Sequence, residues 1–137
     1  MGTIYQTRTM SIPEIQPEHK EYWEASQQGK LMIKKCDSCS EYHYYPRVNC
    51  PHCQSDQTSW VEAKGTGSVY TYSVMRHGVP YAIAFVELDE GPKMMTNIVD
   101  CDLDAIHISQ RVKVVFKQTG AEDKLGPFVP CFTPCEV

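Results

Sequence analysis

Two Cys-x-x-Cys steps, Cys36-Asp37-Ser38-Cys39 and Cys50-Pro51-His52-Cys53, stand ten residues apart in a chain of 137 residues. That is the spacing of a zinc ribbon, in which each step turns two thiolates toward one point. The alternative for a cysteine-rich chain is a disulfide framework. Here the cysteines number seven, four of them fall in paired steps, and Met1 to Pro13 lacks the charged-then-apolar pattern of a secretory leader. The pattern predicts metal binding by Cys36, Cys39, Cys50 and Cys53, in the cytoplasm. Four thiolates leave no open coordination position, so the expected zinc is structural. Its binding is also folding free energy for a module with little core. His43 and His52 lie beside the knuckles and are not needed as ligands.

The remaining cysteines share no such spacing. Cys101 lies between Asp100 and Asp102, which raise a thiol pKa rather than lower it. Cys131 and Cys135 are four positions apart, but Pro130 and Pro134 argue against a helix that would align them. Glu136 adjoins Cys135. All three read as free thiols without a catalytic role. The net charge is −4 and neither half of the chain is basic, which argues against a nucleic-acid partner. No apolar run approaches the roughly 20 residues that span a bilayer.

Residues 1–15 read as a polar arm that docks on something. Pro17 starts a helix over about 17–28, with Glu18 and Glu21 in its first turns and Gly29 as its stop. Its Tyr22 and Trp23 either pack on a neighbouring element or cover a partner. Leu31–Lys35 is a strand into the first knuckle, and Glu41–Pro46 is a return strand carrying Tyr42, Tyr44 and Tyr45. Trp60 begins a second unit. Gly67–Met75 alternates, with Val69, Thr71, Ser73 and Met75 on one face and Tyr70, Tyr72 and Val74 on the other. Tyr81–Leu88 reads as a strand buried on both faces. Asp89-Glu90-Gly91-Pro92 is a turn, Met94–Val99 returns, and Asp102–Ile108 is weakly helical or looped. Val112–Gln118 points Val112, Val114 and Phe116 inward, and Phe128–Phe132 closes the sheet. The fold class is therefore mainly β, an N-terminal helix and rubredoxin-like zinc ribbon over 1–58 followed by a five-stranded OB-fold barrel over 59–137.

These pieces carry a resemblance. Tyr22-Trp23, the two Cys-x-x-Cys steps, Trp60, Gly65-Thr66-Gly67-Ser68-Val69-Tyr70, Ala84–Gly91 and Val112–Phe116 follow one another in this order. The order is similar to that of the zinc-ribbon OB-fold family that accompanies thiolase-like proteins, over residues 18–133. The resemblance implies a small companion subunit of a thiolase-type enzyme, as in archaeal thiolase/hydroxymethylglutaryl-CoA synthase complexes, phloroglucinol acetyltransferase, steroid side-chain aldolases and aromatic-degradation thiolases. It implies a hetero-oligomer with a ketosynthase-fold partner. That partner carries the nucleophilic cysteine for acyl transfer or carbon–carbon bond chemistry, and the companion bridges subunits and helps to enclose acyl-CoA. The chain itself then has no catalytic residues.

Within that reading Arg76 and His77, on a loop joining two barrel strands, are candidates to touch coenzyme A or the partner. Lys93 on the next hairpin is another, and Lys64 is a similar surface cation. Tyr70 and Tyr72 are expected to form one aromatic stripe, read as interface or core. The rival function is a single-stranded nucleic-acid-binding OB module that stacks bases on this stripe. A third is an independent acyl-CoA enzyme.

Overall fold

A computed structural model describes residues 2–6, 9–121 and 123–135. Met1, Thr7 and Arg8 of the expected arm, and Glu136 next to Cys135, lie outside the described residues. Pro17–His19 forms a 3-10 turn that leads into the helix α1, Lys20–Gln27. Proline suits this start because its missing N–H would be unpaired there. Gly29 ends the helix at φ +76°. Its N–H donates to Ser26 O at 3.1 Å and that of Lys30 to Ala25 O at 2.9 Å, the paired bonds of a Schellman cap.

The ribbon sheet has the order β2-β1-β3, with β1 Met32–Cys36, β2 Tyr42–His43 and β3 Thr58–Glu62. One expectation is corrected here. The return strand shrinks from Glu41–Pro46 to two residues, because Tyr44 and Tyr45 turn onto α1. Tyr44 Oη lies 2.6 Å from Tyr22 Oη, and both ring centroids lie within 6 Å of the Tyr22 ring. Trp60 pairs with Lys34 of β1, and Lys34 Nζ sits 4.5 Å above its ring.

The barrel is closed in the order β4-β5-β6-β8-β7. Its strands are β4 Thr66–Met75, β5 Tyr81–Leu88, β6 Lys93–Ile98, β7 Arg111–Ala121 and β8 Lys124–Pro134, with a 3-10 turn at Leu103–Ala105 between β6 and β7. This is the OB arrangement. A bulge between Val69 and Thr71 changes the expected faces of β4. Val69 is buried, but beyond the bulge Thr71, Ser73 and Met75 pair with Phe85, Ile83 and Tyr81 on the outside. Tyr70 and Tyr72 therefore do not follow one register: Tyr70 falls at the bulge, whereas Tyr72 pairs with buried Ala84, though both tyrosines are exposed.

β5 is not buried on both faces. Ala82, Ala84, Val86 and Leu88 enter the core, and Phe85 on the other face is 42% exposed. The strand is antiparallel to both neighbours, and no helix among the described residues covers its outer face. β8 is longer than the expected Phe128–Phe132. Pro130 and Pro134 are tolerated because they oppose Phe116 and Val112 at positions where β8 owes no hydrogen bond to β7; Cys135 N–H donates to Arg111 O at 3.0 Å one step on.

One core joins the two modules. Tyr22, Leu31 and Ile33 from the ribbon side cluster with Val86, Leu88, Met94, Ile98, Val112 and Phe132 of the barrel. Trp23 is 8% exposed and belongs to this cluster, so the reading in which it covers a partner is corrected. The N-terminal arm docks in cis. Ile4 bridges to Asp102 and Met10 to Gly120, Tyr5 N–H donates to Cys101 O at 2.8 Å, and Met10 packs with Val99 and Cys131.

Candidate metal centre and barrel face

Each Cys-x-x-Cys step is a tight turn closed by its own backbone. Ser40 N–H donates to Cys36 O at 2.9 Å and Gln54 N–H to Cys50 O at 2.8 Å. The residue after each second cysteine takes a left-handed conformation, Ser40 at φ +64° and Gln54 at φ +68°. β1 delivers Cys36, and the loop after β2 delivers the second step. All four Sγ atoms lie within 4.8 Å of one another. Cys36 Sγ and Cys53 Sγ are 3.5 Å apart, Cys39 Sγ and Cys50 Sγ 3.7 Å. A tetrahedron with metal–sulfur bonds of about 2.3 Å has edges of about 3.8 Å, so the donor set fits zinc.

Backbone N–H groups favour the thiolate form. Cys39 N–H lies 3.4 Å from Cys36 Sγ and His52 N–H lies 3.3 Å from Cys50 Sγ. The Cys39 N–H is the main cause that draws Cys36 down to about 6. At Cys39 the N–H of Glu41 is outweighed by burial and by neighbouring sulfurs, and the thiol is pushed up to about 12. Four thiolates this close need a cation among them. No other group of three or more ligating side chains gathers among the described residues.

The two flanking histidines stay out of the cluster. His43 is buried, its Nε2 accepts from Arg47 N–H at 3.2 Å, and burial holds its pKa down. His52 is exposed, with Nε2 3.4 Å from Tyr42 O. Cys101 is half-buried and its thiol is pushed up, chiefly by burial and then by Asp102 and Asp100.

The expected barrel contacts do not converge. Arg76 follows β4 and is ion-paired to Asp104 at 2.5 Å, with Thr3 Oγ1 at 3.1 Å. His77 is exposed beside it. Lys93 starts β6, 3.7 Å from Glu87 and 4.7 Å above the Tyr70 ring. Met75 pairs with Tyr81 and Lys93 with Glu87. At the rise of a strand the two sets stand about 20 Å apart along β5. Lys64 is anchored through its backbone N–H to Glu90 at 2.8 Å.

Between them lies what the motifs did not mark, an apolar outer sheet face. Thr71, Phe85 and Met95 are register partners across β4, β5 and β6. Met95 is 64% exposed and Tyr70 56%, and Met75 is also exposed. The signal available in the sequence was the alternation of Ile83 and Phe85 with small Ala82 and Ala84.

No helix among the described residues is long and apolar enough to cross a membrane. Two family models match in tandem: "ChsH2, rubredoxin-like zinc ribbon domain" over residues 23–59 and "ChsH2, C-terminal OB-fold domain" over 60–117. A "Probable enoyl-CoA hydratase alpha subunit" from Thermomonospora curvata is 36% identical over 124 residues, 86% of this chain; the chain spans 39% of that relative's length. A "DUF35 domain-containing scaffold protein" from Methanothermobacter thermautotrophicus is 32% identical over 108 residues, which are 73% of this chain and 81% of the relative. Among solved structures, a chain of the "Ltp2-ChsH2(DUF35) aldolase" superposes with a TM-score of 0.76 at 35% identity, covering 89% of this chain and 98% of that one. A DUF35-family protein of unknown function from Sulfolobus solfataricus shares the fold, with a TM-score of 0.60 at 15% identity and coverage of 87% and 86%. With its ribbon and barrel each matched in order, the chain belongs to the DUF35 family of ChsH2-type zinc-ribbon OB-fold proteins.

Proposed function

We infer that this chain is a zinc-stapled accessory subunit that docks on a thiolase-like, ketosynthase-fold protein and helps to enclose an acyl-CoA there. The chemistry, acyl transfer or making and breaking of a carbon–carbon bond, belongs to the partner's cysteine. The observation that carries this reading is the outer face of β4, β5 and β6. It exposes Tyr70, Met75, Phe85 and Met95 in one patch, on a chain whose four clustered thiols form a closed ligand set. Contiguous exposed apolar surface of this kind marks interaction sites, and aromatic and Met residues are enriched in them. The scaffold and aldolase names of the relatives point the same way.

Zinc held by Cys36, Cys39, Cys50 and Cys53 supplies folding free energy to the ribbon and no reaction step. Arg76 and His77 at one end of the face, and Lys93 at the other, are rim contacts to the partner or to coenzyme A. Unpaired thiols at Cys101 and Cys135 suit a reducing compartment, the cytoplasm.

Co-expression with a thiolase-fold protein from the same organism tests this. The expected result is a complex that co-elutes and that Phe85→Asp or Met95→Asp disrupts without loss of zinc. A partner that is stable and fully active alone, while this chain purifies by itself, would refute the reading.

A further inference from the structure

The barrel is nearly open along one seam. β6 and β8 run parallel and share a single register pair, Ile98 with Phe132, extended by Val99 N–H donating to Phe132 O at 2.8 Å. The edge of β8 that faces β6 carries Pro130 and Pro134, which have no N–H to give, so the ladder cannot continue. Beside this seam lies a cleft of about 340 Å³, a volume in the range of small-molecule sites. Tyr22, Trp23, Tyr44 and Tyr45 wall it from the ribbon side, and Met95 and Asn97 from β6.

Two features define what such a cleft can hold. Among the described residues no Lys, Arg, His, Asp or Glu lines it, so these offer no counter-charge to a phosphate or a carboxylate. It also has a proton to spare. Tyr22 Oη and Tyr44 Oη are 2.6 Å apart, and burial raises both phenol pKa values well above the ordinary value. The pair therefore holds two protons, of which the mutual hydrogen bond uses one. No second partner is assigned to either hydroxyl among the described residues. Nearby, Asn97 Nδ2 donates to Ala82 O at 2.9 Å, which fixes the amide and leaves its carbonyl oxygen as an acceptor. Thr96 Oγ1 is already committed to Pro130 O at 3.2 Å.

We propose that this seam cleft binds an uncharged, largely apolar group that presents a carbonyl oxygen to the Tyr22–Tyr44 hydroxyl pair. A thioester, amide or ketone on a hydrocarbon chain or ring has this chemistry; a carboxylate or phosphate does not. Exposed Met95 lines the cleft and also belongs to the face to which docking is assigned above. Binding to the isolated chain does not depend on that docking.

Trp23 in the wall provides the readout. In the zinc-loaded full chain carrying Trp60→Phe, Trp23 is the remaining tryptophan. Titration with the neutral thioester S-butanoyl-N-acetylcysteamine should quench it saturably, whereas butanoate at equal concentration should not. Tyr44→Phe should weaken binding about fivefold, the value of one hydrogen bond. Met95→Phe, at an exposed position that folding does not rely on, should narrow the mouth and weaken binding too. It decides the matter if Tyr44→Phe loses its fold. No saturation below about 10 mM, equal quenching by butanoate, or affinity unchanged in the variants that fold would each overturn the proposal. The docking reading, tested by co-elution, would stand or fall separately.

Discussion

Asp89 ties the β5–β6 hairpin to β7. Its carboxylate accepts two N–H groups of Arg111, at 2.8 and 2.9 Å, and the Thr66 hydroxyl. The Arg111 bonds, followed by that of Thr66, hold the carboxyl at about 2, below its ordinary 3.8. A carboxyl with a depressed folded pKa stabilises the fold above its ordinary value, and that contribution disappears as pH falls through about 2. Because both groups are partly exposed, Asp89→Asn should cost only about 1 kcal/mol at neutral pH. The loss should shrink toward zero between pH 3.8 and 2, read by urea unfolding at several pH values. Gly65 is constrained differently. Its φ is +82°, and a Cβ would lie 2.7 Å from Val114 Cγ1. Gly65→Ala should destabilise the barrel by about 1–3 kcal/mol, visible as a lower urea midpoint at unchanged slope. The four cysteines were legible in the sequence; the left-handed turn at Gly65, pressed against Val114, was not. The Asp89–Arg111 pair was not, because 22 residues separate partners that only barrel closure brings together.

At the scale of elements, the ribbon depends on its metal and the helix on its burial. Cys50→Ser should abolish stoichiometric zinc and unfold residues around both knuckles, as metal analysis and hydrogen exchange would show; unchanged zinc content would contradict the ligand assignment. Trp23→Ala should cost about 3–5 kcal/mol, the usual penalty for emptying an aromatic core position, and Tyr22, Leu31 and Ile33 share that core. A loss below 1 kcal/mol by thermal unfolding would place Trp23 outside it. Most elements could be read from caps and periodicity. Pro17 and Gly29 bracket the helical segment, and Tyr81–Leu88 is bounded as expected. What periodicity could not supply is where its phase breaks. The extra residue at Tyr70 shifts the rest of β4, and no local signal reveals a bulge whose cause is the curvature of a closed sheet. Likewise β3 looks like a barrel strand, and only its pairing with β1 assigns it to the ribbon.

Across the whole molecule, the two modules share one core and leave one apolar face uncovered. The family was recognisable from the order of short motifs, because ribbon spacing and hairpin residues are local. The apolar outer face and the seam cleft were not. They arise from register across three strands and from which edge of β8 its two prolines occupy, and only the sheet pairing reveals these. The central claim is that this chain works as a metal-stapled piece of a larger acyl-CoA catalyst. The most direct measurement is the native mass and zinc content of the protein captured gently from its own cells. The account predicts a hetero-oligomer with a thiolase-fold protein and one zinc per copy of this chain. A zinc-free, solitary monomer of normal stability would contradict it.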